Sequence, residues 1–178
     1  MDFYILDFIQ SYIRCDFLDV LFSHVTMLGN GGMIWIIICL CLILKKNYRK
    51  AGICILLAML IGNLLGEQVI KPIVARPRPF MQQPFDLIIA APSGYSFPSG
   101  HTASSFCAAL FLTLVNRRFA VPAYLLAAAI AFSRLYLYVH FPTDVLAGII
   151  LGTLCALAVY FLLYRKMPVQ GQTKTRDF

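Results

Sequence analysis

The sequence predicts an all-α protein: a polytopic membrane helical bundle of about five transmembrane helices behind an N-terminal interfacial helix. Three observations carry this. Of the 178 residues, 60% are hydrophobic and only 13% are charged, against about 25% charged in an average soluble domain. The apolar residues gather in runs close to the roughly 20 that a spanning helix needs. The basic residues fall in alternate connections between those runs. A soluble domain of this length leaves too much surface exposed to hide such a composition. The net charge of +7 is therefore read against a membrane and not against nucleic acid, and the expected partner is the lipid bilayer.

Residues 1–28 place Phe3, Leu6, Phe8, Ile9, Tyr12 and Ile13 near helical spacing, interrupted by Asp2, Asp7, Asp16 and Asp19. This predicts an amphipathic helix lying in the interface; a six-span arrangement, with this segment crossing, is the alternative. Spans follow over residues 29–44, 51–70, 101–115, 119–138 and 145–164. The third is the shortest, so its outer end should lie below the membrane surface. Residues 29–164 form one transmembrane domain, and 165–178 form a polar tail. The N-terminus has neither the basic region nor the small-residue site of a cleavable signal.

Charge placement predicts orientation. Lys45, Lys46, Arg49 and Lys50 follow the first span, Arg117 and Arg118 follow the third, and Arg165, Lys166, Lys174 and Arg176 follow the fifth. Excess Lys and Arg mark cytoplasmic connections, so the C-terminus is expected in the cytoplasm of a cell bounded by this plasma membrane. Residues 1–28, 71–100 and 138–144 then face outside. The six cysteines form no CxxC pair and indicate neither zinc nor disulfides.

Polar groups at a membrane are costly, so their placement is informative. Three clusters lie on the outer face: Lys71 with Arg76-Pro77-Arg78-Pro79; Ser96 through His101; and Ser133-Arg134 followed by His140 and Asp144. Cations on the acid-favouring side call for an anionic ligand, and arginine's planar fork suits phosphate. Ser99-Gly100-His101 opens the third span, where free helix N–H groups favour an anion and the serine can cap. Pro72, Pro77 and Pro79 end the second helix and stiffen the arm that carries the cations. Glu67 stands one helical turn before Lys71 and can pair with it. Asp144, four residues after His140, can hold one imidazole nitrogen and leave the other as nucleophile or base. His101 supplies a second imidazole for acid work. No carboxylate or thiolate cluster suggests a metal, and no cofactor is expected. The implied chemistry is phosphoryl transfer with Lys and Arg neutralising charge.

These residues resemble a known family. Lys71, six residues, then Arg78-Pro79 is similar to the first motif of the type 2 phosphatidic acid phosphatase superfamily. Pro98-Ser99-Gly100-His101 is similar to the second, and Ser133-Arg134, five residues, His140, three residues, Asp144 to the third. The resemblance runs from about residue 29 to 164. It implies that His140 attacks phosphorus, Asp144 orients it, and His101 protonates the leaving oxygen. Lys71, Arg78, Ser99, Gly100 and Arg134 would hold the phosphate, with Arg76 and Glu67 as auxiliary groups. It also implies a lipid phosphate or diphosphate as substrate, with undecaprenyl diphosphate ahead of a phosphatidate-type phospholipid. The chain departs from some bacterial members in lacking an additional N-terminal span. Two rivals stand beside this reading. A serine hydrolase using Ser99, His140 and Asp144 lacks its nucleophile elbow, since Gly94-Tyr95-Ser96 is not completed by a glycine at position 98. An anion transporter using the basic cluster would be expected to show repeated halves, which the sequence lacks.

Overall fold

The structure, a computed structural model, describes residues 2–166. The expectations for Lys174, Arg176 and most of the tail lie outside the described residues. Helices α1 (Asp2–Phe8) and α2 (Asp16–Leu28) are separated by a π-helical turn, Ile9–Ile13, and two extended residues. A turn at Asn30–Gly32 leads into α3 (Met33–Leu44). Gly31 and Gly32 adopt φ of 57° and 72°, a left-handed backbone that costs glycine little. Helix α4 (Arg49–Asn63) runs on through a π-helical segment, Leu64–Ile70, into the short α5 (Lys71–Val74) and α6 (Pro79–Gln82). The remaining helices are α7 (Gly100–Val115), α8 (Ala120–Tyr136) and α9 (Pro142–Leu162).

Three helical runs are long and apolar enough to cross a membrane: Arg49–Gln82, Arg117–Tyr136 and Pro142–Lys166. The first expected span needs correction. Helix α3 has 12 residues and so is about 18 Å long, against a hydrocarbon core of roughly 30 Å. It becomes long enough only together with α2, as a pair bent by 48° at the glycine turn. Among the described residues there are thus three candidate spans, or four if the bent pair is one span, against the five expected; α7, at 16 residues, is a shorter apolar helix, as anticipated.

Helix α7 sits at the centre, against α4, α8 and α9. Apolar burial is not the force that joins helices in lipid; close backbone approach is, and small residues permit it. A Cβ added at Gly148 would come 2.7 Å from the Ser99 carbonyl oxygen, and one at Gly152 would overlap that of Ala103. Helix α9 therefore lies directly on the α7 backbone, which brings the His140–Asp144 end of α9 beside the start of α7. Trp35 is buried and donates from Nε1 to Ser105 Oγ at 2.9 Å. Leu40, Leu125 and Leu154 stay exposed on the bundle's outside, where lipid would meet them.

The N-terminal segment is docked and not merely apposed. Gln10 Nε2 donates to the Tyr136 carbonyl at 2.7 Å, the Tyr136 hydroxyl to Asp19 at 2.6 Å, and the Tyr138 hydroxyl to Asp7 at 3.1 Å. The acids that break its apolar pattern thus tie it to the end of α8 and the turn that follows.

Gly152→Ala is expected to push α9 off α7 and destabilise the fold by about 1–3 kcal/mol, the usual cost of overpacking. Thermal unfolding in detergent would show a lowered midpoint.

Candidate active site

The three clusters that are distant in sequence converge on one cavity of about 420 Å³. Its polar end is lined by Lys71, Arg78, Gly100, His101, Arg134 and His140, with Glu67 beside them. Its other end is lined by Ile36 of α3, Leu56, Met59 and Leu60 of α4, Cys107 of α7 and Leu151 of α9.

Each cation is held by a different device. Arg78, placed by the bend at Ala75 and the start of α6, is almost fully buried. Its Nε donates to the Gly94 carbonyl, Nη2 to that of Ser93 and Nη1 to that of Val139, each at 3.0 Å. Lys71 Nζ meets Glu67 Oε1 at 2.6 Å, the expected one-turn pair, on the π-helical run that follows α4. Arg134, near the end of α8, donates from Nη1 to Thr26 Oγ1 of α2. Its Nε is buried and has no partner among the described residues. An unpaired buried donor is costly, and this one belongs to a residue on the cavity wall, where an anion's oxygen can satisfy it.

The imidazoles are equally constrained. His140 sits in the turn between α8 and α9. Arg78 Nη1 lies 3.2 Å from His140 Nε2. A guanidinium only donates, so Nε2 carries a lone pair and the proton sits on Nδ1. Nδ1 faces Asp144 Oδ2 at 3.5 Å and Ser96 Oγ at 3.4 Å. Asp144, fully buried, also accepts at Oδ2 from the Ser96 hydroxyl and from the Phe141 amide at 2.8 Å. The capping position near the start of α9 thus supplies the carboxylate that sets the tautomer. His101 Nε2 donates to Asn30 Oδ1 at 2.9 Å. Its ring packs on the preceding turn so closely that a Cβ at Gly29 would come 2.6 Å from His101 Cδ2.

Burial and the flanking Arg134 and Arg78 guanidiniums push the His140 pKa down to about 3, against the opposing pull of Asp144. The imidazole is thus neutral and available as a nucleophile well below neutral pH.

Of the residues singled out from sequence, two behave differently from the rest. Ser99 is fully buried and does not line the cavity; its Oγ accepts from the Thr102 amide and, at 2.9 Å, from the Thr102 hydroxyl, so it serves as the α7 cap. Arg76 also lies off the cavity, on the far side of Asp144. Sequence reading missed three contributors. Ser96 was visible only as one polar residue in the second cluster, and nothing tied it to an acid 48 positions later. Asn30 reads as a turn residue, and Thr26 as an ordinary residue in an amphipathic helix.

An all-helical bundle with apolar, membrane-length helices that gathers three cations and two histidines at one cavity defines a class: an integral membrane protein with a buried polar site. Residues 51–168 match the PAP2 superfamily, and the chain belongs to it. An undecaprenyl-diphosphatase from Sulfolobus acidocaldarius is 35% identical over 67% of this chain, which spans 59% of that protein's length. Two solved structures share the fold. The PAP2-type phosphatidylglycerolphosphate phosphatase of Bacillus subtilis superposes with a TM-score of 0.75 at 28% identity, over 93% of this chain and 86% of that one. LpxE of Aquifex aeolicus gives 0.79 at 27% identity, over 90% and 94%.

The lowered His140 pKa has a consequence for stability. In the unfolded chain an imidazole titrates near about 6.5. Between that value and about 3 the unfolded chain carries a proton that the folded chain refuses. Stability from this group is therefore fully present above the upper value and is lost as pH falls through the window. His140→Gln is expected to flatten the acid side of a plot of unfolding midpoint against pH.

Proposed function

We propose that the protein hydrolyses a lipid phosphomonoester or diphosphate at the extracytoplasmic face of the membrane, through a phosphohistidine at His140. The observation that carries this reading is the single cavity that joins three cations and two imidazoles to an apolar channel between helices. A phosphate fits the polar end, and the lipid's chain follows the apolar one. A soluble sugar phosphate would leave that channel unfilled.

Phosphate oxygens entering the cavity take donors from Lys71, Arg78, Arg134 and the amides that open α7. Arg78 moves its Nη1 hydrogen bond from His140 Nε2 to a phosphate oxygen and frees the lone pair. Nε2 attacks phosphorus; the N–P bond forms as the bond from phosphorus to the leaving oxygen breaks. His101, in its imidazolium form, gives that oxygen its proton and is left neutral, and Asp144 stabilises the positive charge arising on the His140 ring. Water then attacks phosphorus, the P–N bond breaks, His101 takes the water's proton and inorganic phosphate leaves. The cations neutralise charge that grows on the equatorial oxygens. Ser99 is the cap of a helix and stands off the cavity, which counts against the serine hydrolase alternative.

Within this class undecaprenyl diphosphate is the first candidate and a phosphatidate-type phospholipid the second. Support comes from the relative named an undecaprenyl-diphosphatase and from the charge pattern, which puts Lys45, Lys46, Arg49, Lys50, Arg117 and Arg118 on the face opposite the cavity.

The test is phosphate release in detergent with a chelator present, comparing polyprenyl diphosphate and monophosphate, phosphatidate, phosphatidylglycerophosphate and a sugar phosphate. Release from at least one lipid, inhibition by vanadate, and loss of about 10³-fold or more in folded His140→Ala are expected. Turnover that survives His140→Ala, or release from the sugar phosphate alone, overturns the reading.

A further inference from the structure

We propose that Arg76 is a positioning residue for this site: it clamps the far oxygen of Asp144 to the N-terminal helix, so that Asp2 at the start of α1 helps to aim His140. The inference rests on the phosphohydrolase reading above. In sequence, Arg76-Pro77 and Arg78-Pro79 are duplicates. In the fold they part company. Arg78 points into the cavity and meets His140 Nε2, whereas Arg76 approaches Asp144 from behind.

Arg76 Nη1 donates to Asp144 Oδ1 at 2.7 Å and to Thr143 Oγ1 at 2.6 Å, and Nη2 donates to Asp2 Oδ2 at 2.7 Å. Thr143 Oγ1 in turn donates to the same Asp2 oxygen at 2.6 Å. The guanidinium lies 3.8 Å over the Phe141 ring, and Phe141 is the residue that follows His140. One planar group therefore grips the carboxylate, the start of α9 and the peptide that bears the nucleophile.

The consequence follows from the two oxygens of Asp144. Oδ2 is committed to Ser96, the Phe141 amide and the His140 face. Oδ1 has Arg76. Removing Arg76 leaves half of a fully buried carboxylate unpaired, which is strongly unfavourable. The carboxylate can then turn to seek another donor, and Nδ1 of His140 loses its fixed acceptor. Partners behind a catalytic group typically matter by 10–100-fold. Arg76 itself contributes nothing to the cavity wall, so phosphate affinity is untouched. Lysine can restore the contact to Asp144 but not the second nitrogen to Asp2 or the planar stacking on Phe141.

The test uses the full chain in detergent, with phosphate release from a lipid phosphate and inhibition by vanadate. Arg76→Met should lower kcat by about 10–100-fold while KM and the vanadate inhibition constant stay within about threefold. Arg76→Lys should recover part of kcat, and Asp2→Asn should lose a smaller fraction. A vanadate constant that rises in step with the loss would make Arg76 a phosphate contact and overturn the proposal. Unchanged kcat in Arg76→Met, or Arg76→Lys no better than Arg76→Met, overturns it too. If Arg76→Met does not fold, Arg76→Lys and Asp2→Asn decide: full kcat in both overturns it. Absence of phosphate release by the unmodified protein overturns the phosphohydrolase reading and this one together, whereas release that is lost in His140→Ala but indifferent to Arg76 overturns the clamp alone.

Discussion

The buried carboxylate of Asp144 is the constraint on which the rest depends. An ionised acid withdrawn from water must be surrounded by donors or it will not stay ionised. Here the donors come from segments far apart in sequence: Ser96 before α7, the Phe141 amide at the start of α9, and Arg76 from the arm after α5. The Asp144 carbonyl also accepts from the Ser99 amide at 3.0 Å, which ties the start of α9 to the start of α7. Satisfying one charge thus assembles the three stretches that carry the proposed phosphate ligands.

Helix packing makes that assembly precise. Gly148 and Gly152 let α9 rest on the α7 backbone, and Gly29 lets the His101 ring settle on the turn before α3. The result is two imidazoles with different supports. His140 is gripped on both nitrogens, by Arg78 and by the Asp144–Ser96 pair, while His101 has its Nε2 proton directed to Asn30. A nucleophile benefits from a fixed lone pair and a general acid from a proton held within reach, so the difference in surroundings matches the difference in proposed roles. The N-terminal segment reaches the site at two points, through Thr26 on Arg134 and Asp2 on Arg76.

Much of the site was legible in the chain because its residues are forbidden by their surroundings. Lys71, Arg78 and Arg134 stand on the face where the charge pattern disfavours cations, and His140 and Asp144 flank a helix start at a spacing that lets them touch. The Glu67–Lys71 pair was legible for the same reason, one helical turn apart. Motif spacing separated Arg78 from Arg76 and left Arg76 an auxiliary group without an assigned contact; the backbone bend that includes the left-handed Ala75 leaves Arg76 on Asp144. Ser99 was expected to hold phosphate, with capping as a compatible role, and its burial against Thr102 is what reveals the cap.

Membrane character, the apolar elements and the principal ionisable groups were readable along the chain, because composition, hydrophobic run length and local spacing are one-dimensional quantities. The folded structure brings α2 and α3 together at a 48° bend and lets residues 2–28 brace the α8–α9 turn. It also decided that Ser96 and Arg76 share a carboxylate. Those outcomes depend on which backbones can approach closely and on where a buried charge finds its partners, and neither is expressed by neighbours along the chain.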